Sequence, residues 1–101
     1  MILEVAVLNV LPEKTDEFEA SFNIAKDIIS SMKGWLGIQL QQCLEVPSRY
    51  ILLVKWETRE DHTIGFRESD LYQEWKKLLH HYYSPFPVVE HYSLKIEKNP
   101  V

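Results

Sequence analysis

Between Met1 and Leu11 the chain is apolar in both phases of a two-residue alternation: Ile2, Ala6, Leu8 and Val10 share one face, and Leu3, Val5, Val7 and Leu11 share the other. A strand of that kind is covered on both sides. Pro12 ends it, and Thr15 stands as the candidate N-cap of a helix whose apolar residues Phe18, Phe22, Ala25, Ile29 and Met32 recur at steps of four, three, four and three. Gly34 closes that amphipathic helix. Alternation returns from Trp35 to Val46, with Leu36, Ile38, Leu40 and Leu44 opposing Gln39, Gln41 and Cys43. Pro47 and Ser48 then turn the chain into a third strand, Tyr50 to Glu57, so near in sequence that the pair reads as a hairpin.

Thr58-Arg59-Glu60-Asp61 approximates a capping box and opens a short helix through Arg67. Ser69 and Asp70 offer a second cap, after which Leu71, Trp75, Leu78, Leu79 and Tyr82 keep helical spacing while Gln73, Glu74, Lys76, Lys77 and His80 take the opposite side. The helix therefore resumes after a kink. Pro85 and Pro87 stop it, and from Val88 to Glu97 a last strand alternates Val88, Tyr92, Leu94 and Ile96 against His91, Ser93 and Lys95. Right-handed crossovers place both helices of this βαββαβ order on one face of a four-stranded antiparallel sheet. The expectation is one ferredoxin-like α+β domain over residues 1–101. Because the first strand is apolar on both faces, the face without helices needs a cover, and a second copy of the same sheet supplies one. A homodimer is expected.

Composition narrows the partners. The chain has 101 residues, 46% apolar and 26% charged, which suits a single folded core. Its net charge of −4 and lack of a basic stripe exclude general nucleic-acid affinity. No apolar run approaches the ~20 residues needed to span a bilayer, so no membrane association is expected. Glu4 interrupts the first apolar residues, and no signal peptide is expected. Cys43 is the sole cysteine, so an internal disulfide is impossible and a reducing, cytoplasmic location follows as the expectation.

Candidate chemistry centres on histidine. His62 falls in the opening turn of a helix, where the positive end of the dipole disfavours imidazolium and leaves a base that works near pH 7. A structural histidine that bonds to the sheet or caps the turn suits the same position. His91 meets His62 if its strand face points to the helices; otherwise it lies half-exposed at the dimer seam. His80 and His81 are adjacent, diverge around the helix and read as solvated. No Cys and His spacing resembles a metal site. Trp56, Phe66, Tyr72, Trp75, Tyr82 and Tyr92 can wall an aromatic slot for a small planar molecule, or simply pack the core. Asn9, alone in an apolar strand, needs a hydrogen-bond partner if buried, which is either the helix start or a ligand. Cys43 has no activating neighbour in sequence and is read as a small hydrophobe.

From the third strand onward particular residues recur in a known pattern: Val54-Lys55-Trp56-Glu57, then Glu60, Asp61 and His62, then Gly65, Phe66, Arg67, Ser69, Tyr72, Trp75, Leu78 and Leu79, and finally Tyr82, Tyr83, Pro85, Pro87, Val89, His91 and Tyr92. This stretch resembles the antibiotic biosynthesis monooxygenase domain family of dimeric α+β barrels, whose element order the whole chain shares. The resemblance implies paired subunits, each with a cavity between sheet and helices. It also implies, for some members, oxygenation of hydroquinone or polyphenol substrates by O₂ with no metal or flavin cofactor. His62, with His91, then becomes the candidate catalytic pair, and Asn9, Trp56, Phe66, Trp75, Tyr82 and Tyr92 the candidate substrate contacts. Other members degrade haem with an Asn, a Trp and a His. Asn9 matches the first, but Phe66 stands near the expected Trp and Trp75 or Lys76 near the expected His, so haem degradation is not expected. A barrel that binds an aromatic metabolite or serves a stress response without catalysis, or one that acts purely as an interaction module, meets the same sequence pattern.

Overall fold

The doubly apolar first segment becomes β1 (Ile2–Asn9), and it lies in the middle of the sheet, hydrogen-bonded on both edges. The computed structural model describes residues 1–100. After β1 come a 3₁₀ turn (Pro12–Lys14), α1 (Thr15–Ile29), β2 (Trp35–Gln42), β3 (Arg49–Trp56), a π-helical turn (Asp61–Phe66), α2 (Asp70–Leu79), a second 3₁₀ turn (His80–Tyr82) and β4 (Val89–Ser93). The strands run in the order β2-β3-β1-β4, every neighbour antiparallel. Both helices pack on one face, which makes this a ferredoxin-like α+β fold. None of the described helices is long and apolar enough to cross a membrane.

Alternation decides which side chains meet the helices. Ala6 and Leu8 of β1, Val10 just past its end, and Tyr50, Leu52, Val54 and Trp56 of β3 are buried against Phe18, Phe22, Ala25 and Ile29 of α1 and Trp75 and Leu79 of α2. Each Val, Leu, Ile or Phe side chain among them contributes roughly 1.5–3 kcal/mol by leaving water, each Ala less. The opposite phase, with Val7, Leu36 and Tyr92, stays exposed on the helix-free face.

Four local expectations change. Thr15 is the first residue of α1 and makes no cap; the preceding 3₁₀ turn feeds the chain straight into the helix. In β2 an irregularity between Trp35 and Gly37 shifts the register, so Leu36 points outward while Ile38 and Leu40 pack on the core. Leu44 lies beyond the strand and is exposed. The last strand is only five residues long, and Leu94 and Ile96, beyond its end, are exposed.

The Thr58 box forms as expected: the Asp61 N–H donates to Thr58 Oγ1 at 3.1 Å and the Thr58 N–H to Asp61 Oδ2 at 3.3 Å. From Asp61 onward the chain winds more widely than an α-turn, with the Arg67 N–H reaching the His62 carbonyl at 3.0 Å. Ser69 then caps α2, accepting from the Tyr72 N–H at 3.2 Å. Gly34, at φ +82°, fits tightly under this turn: an added Cβ would overlap the Asp61 carboxylate. Its carbonyl accepts from the Glu57 N–H at 2.8 Å.

Gly34→Ala is expected to lower stability by about 2 kcal/mol through left-handed strain and displacement of Asp61. Gly65→Ala, whose Cβ meets nothing nearer than 3.8 Å, is expected to be neutral or to stabilise by about 0.5–1 kcal/mol. Urea unfolding of the two variants beside the parent checks both.

Candidate active site

A carboxylate sits inside the sheet. Glu4 belongs to the inward phase of β1, between Ile2 and Ala6, and is 5% exposed. An ionisable group there needs partners, and two neighbouring elements supply them. Trp56, at the end of the adjacent strand β3, donates its indole N–H to Glu4 Oε1 at 2.9 Å. From the π-helical turn, His62 Nε2 approaches the same oxygen at 3.4 Å, longer than a strong hydrogen bond. The His62 ring is 3% exposed and stacks on Trp56 with centroids 5.7 Å apart and planes 22° from parallel.

On the other edge of β1, His91 is the cross-strand partner of Glu4. Its face does point to the helices, and its Nε2 lies 2.8 Å from His62 Nδ1. Trp56, Glu4, His62 and His91 therefore form one continuous polar chain. It runs from the core to a surface groove that His91 lines together with Met1, Ile2 and the Glu57–Glu60 segment.

Glu4 and His62 also face a small, partly open cavity beneath the helices, whose wall includes Phe66, Arg67, Tyr72, Trp75, His80, Tyr83, Phe86 and Pro87. Phe66 meets Tyr72 and Trp75 edge-on, at centroid distances of 5.3 and 5.7 Å. The free volume is about 40 Å³, room for water rather than for an aromatic molecule.

Burial moves the two central groups in opposite directions. It raises the Glu4 carboxyl to about 7, against smaller opposing effects of the Trp56 N–H and the Arg67 guanidinium. It lowers His62 to about 3, assisted by Arg67 and His91. His62 is therefore neutral at physiological pH, its contact with Glu4 is not an ion pair, and the carboxyl is the member that titrates there. His80 and His91 are lowered too, chiefly by burial, and Tyr72 and Tyr83 raised by it.

Of the residues singled out from sequence, His62, Phe66 and Trp75 line the cavity, and Trp56 and His91 join it through Glu4 and His62. Three lie elsewhere. Asn9 is in the outward phase of β1, exposed, away from the cavity. Tyr92 is likewise outward, 51% exposed, donating to Glu90 Oε1 at 3.2 Å. Tyr82 packs its ring near Phe18, with its hydroxyl 3.3 Å from Ser21 Oγ. His80 is not solvated as expected; it wedges among Tyr72, Tyr83 and Phe86. Sequence reasoning missed Glu4. The signal that reveals it is a lone carboxylate in the same phase as Ala6, Leu8 and Val10.

The four-stranded antiparallel sheet with both helices on one face is the fold class of the ferredoxin-like α+β proteins. The sequence profile of the antibiotic biosynthesis monooxygenases matches residues 1–78, and the chain belongs to that family. It is 52% identical over 92 residues to YczJ of Bacillus subtilis (strain 168), described as an uncharacterized protein; the match covers 91% of this chain and 97% of YczJ. A crystal structure assigned to the antibiotic biosynthesis monooxygenases, from Bordetella bronchiseptica, superposes with TM-score 0.90 at 35% identity, covering 94% of this chain and 97% of that one. A conserved protein from Methanosarcina mazei Go1 superposes with TM-score 0.80 at 26% identity, covering 93% and 92%.

The opposite shifts give the stability profile a definite form. His62, lowered in the fold, costs stability as pH falls from 6.5 toward 3; Glu4, raised in the fold, costs stability as pH rises from 4.5 to 7. The two slopes offset one another between about 4.5 and 6.5. Glu4→Gln removes the second, so the variant is expected to gain on the parent between pH 4.5 and 8 by an amount on the order of 3 kcal/mol. Urea midpoints at those two pH values measure it.

Proposed function

We propose that this protein is a monooxygenase that deprotonates a small phenolic or hydroquinone-like substrate and lets the resulting anion reduce O₂ directly, with no added cofactor. One observation carries the reading: a carboxyl group buried at the wall of an aromatic cavity, with its pKa raised to about 7. A base of that pKa is at its most effective near neutral pH. Glu4 therefore takes the part that the sequence alone suggested for His62, and His62, neutral and stacked on Trp56, orients the carboxyl. For a substrate with an activated CH₂ beside a phenol ring, Glu4 removes a proton and the carbanion gives its electrons to O₂. One oxygen atom ends as the product carbonyl and the other leaves as water. The aromatic part of the wall limits solvent at the anion once substrate fills the cavity.

Binding requires the cavity to enlarge. Phe86 and Pro87, in the irregular segment before β4, form part of its wall, and Phe86 is 62% exposed. Their displacement opens a route without disturbing the sheet. The cavity's volume of about 40 Å³ also favours a second reading, an interaction barrel whose interior is filled by its own aromatic side chains. On either reading the helix-free face is covered by a second copy. Leu3, Val5, Ile51, Leu53 and Tyr92 border an open apolar hollow of about 680 Å³ there, a kind of surface that marks an interface.

Oxygen uptake by the purified protein against hydroquinones, catechols and anthrone-type phenols tests the enzyme reading. Glu4→Gln is expected to lower kcat by about 10²–10⁴ while retaining the fold; equal rates in parent and variant would remove Glu4 from the chemistry. If no phenol in the panel is consumed or bound, the filled barrel is the better description. Light scattering is expected to find the parent at twice the chain mass and Leu53→Glu at the mass of one chain, with unchanged circular dichroism.

A further inference from the structure

We infer that His62 and His91 form a two-imidazole proton wire, through which Glu4 exchanges its proton with solvent at a surface groove separate from the substrate cavity. The wire rests on the reading of Glu4 as the titrating group of that cavity. Four features carry it. Glu4 and His62 are both nearly inaccessible to bulk solvent, so a relay to the surface gives the carboxyl a defined path for its proton. His62 presents one ring nitrogen to each neighbour, Nε2 to the carboxyl at 3.4 Å and Nδ1 to His91 Nε2 at 2.8 Å. His91 is only partly buried and lines the outer groove with Ile2 and Thr58, whereas the cavity is walled by a different set. Glu4 and His91 are directly paired across β1 and β4, which fixes the end-to-end spacing.

A neutral imidazole donates through one nitrogen and accepts through the other, so the chain has two self-consistent arrangements. With Glu4 protonated, its O–H is offered to His62 Nε2, His62 Nδ1–H to His91 Nε2, and His91 Nδ1 carries the outermost proton. With Glu4 ionised, His62 Nε2–H is offered to the carboxylate and His91 Nε2–H to His62 Nδ1. Passing between them moves three protons by one position each, releases one from His91 Nδ1 to water, and never creates an imidazolium. The 3.4 Å step is the loose one, closed by a small rotation of the Glu4 carboxyl.

The two cations facing this chain favour a neutral wire, against the carboxylates of Glu57 and Glu60 that share the outer groove with His91. The Arg67 guanidinium acts on Glu4, His62 and His91, and Arg59 acts on His91 from the start of the π-helical turn. Both disfavour imidazolium. Trp56 contributes only its N–H, and Tyr72 and Tyr83, on and just beyond α2, stay un-ionised because burial raises them.

Nuclear magnetic resonance of protein labelled with ¹³C and ¹⁵N tests the wire without any substrate, so its failure and the failure of the oxygenase reading are separate. Between pH 6 and 8.5 the Glu4 carboxyl carbon and the His62 ring nitrogens are expected to share one midpoint. At that midpoint the His62 proton moves from Nδ1 to Nε2. Glu4→Gln is expected to abolish that midpoint. His91→Phe, which keeps a ring in place, is expected to hold His62 in the Nε2–H form throughout. A His62 tautomer that is the same at both ends of the range in the parent would overturn the wire, as would a His62 ring that becomes doubly protonated within it.

Discussion

Everything distinctive in this molecule stems from the need to satisfy one carboxyl group inside a sheet. Glu4 occupies a position that its neighbours Ala6 and Leu8 give to the core, and an unpartnered polar group there would cost several kcal/mol. Its partners come from elements that chain order keeps apart. The indole of Trp56 arrives because β3 lies beside β1, and His62 arrives because the chain after β3 turns back over the sheet as a π-helical turn. That turn is held by the reciprocal Thr58 and Asp61 bonds. Asp61 in turn lies where only Gly34 leaves room. A single buried oxygen thus sets requirements at a strand end, a helix start and a loop glycine.

Stability alone does not explain the arrangement. Apolar residues of similar volume in place of a buried polar pair are often neutral or stabilising. The fold already has ample apolar material, with Val54, Trp56 and Phe66 buried around the same site. Positions where a sequence breaks the apolar pattern without a gain in packing are where functional or strained sites are expected. The chemistry fits: low dielectric suppresses charge on both groups, which leaves a carboxyl poised near neutrality next to an imidazole that stays uncharged.

The fold could be read from the pattern because strand and helix periods are set by backbone geometry. The strand and helix order and the Thr58 box all arise from local spacing. The site was only half legible. Alternation groups residues by face but does not say which face is inward when both are apolar, so Asn9 and Tyr92 were assigned to a cavity that their strands turn away from. The outward displacement of Leu36 depends on a pairing irregularity between β2 and β3, which no single segment encodes. His62 and His91 were recognisable by residue type. Glu4 was visible only as an interruption, because its meaning comes from Trp56 on another strand.

The pairing of Glu4 with His91 has a temporal side. One belongs to β1 and the other to β4, so a growing chain holds its carboxylate well before the second imidazole is added. Until β4 docks, β1 has an open edge and His62 lacks its outer neighbour. The aromatic residues of α1 and β3 precede β4 in the chain, so the core can begin to pack before His91 joins the site. Completion of the site thereby waits on the docking of β4 against β1.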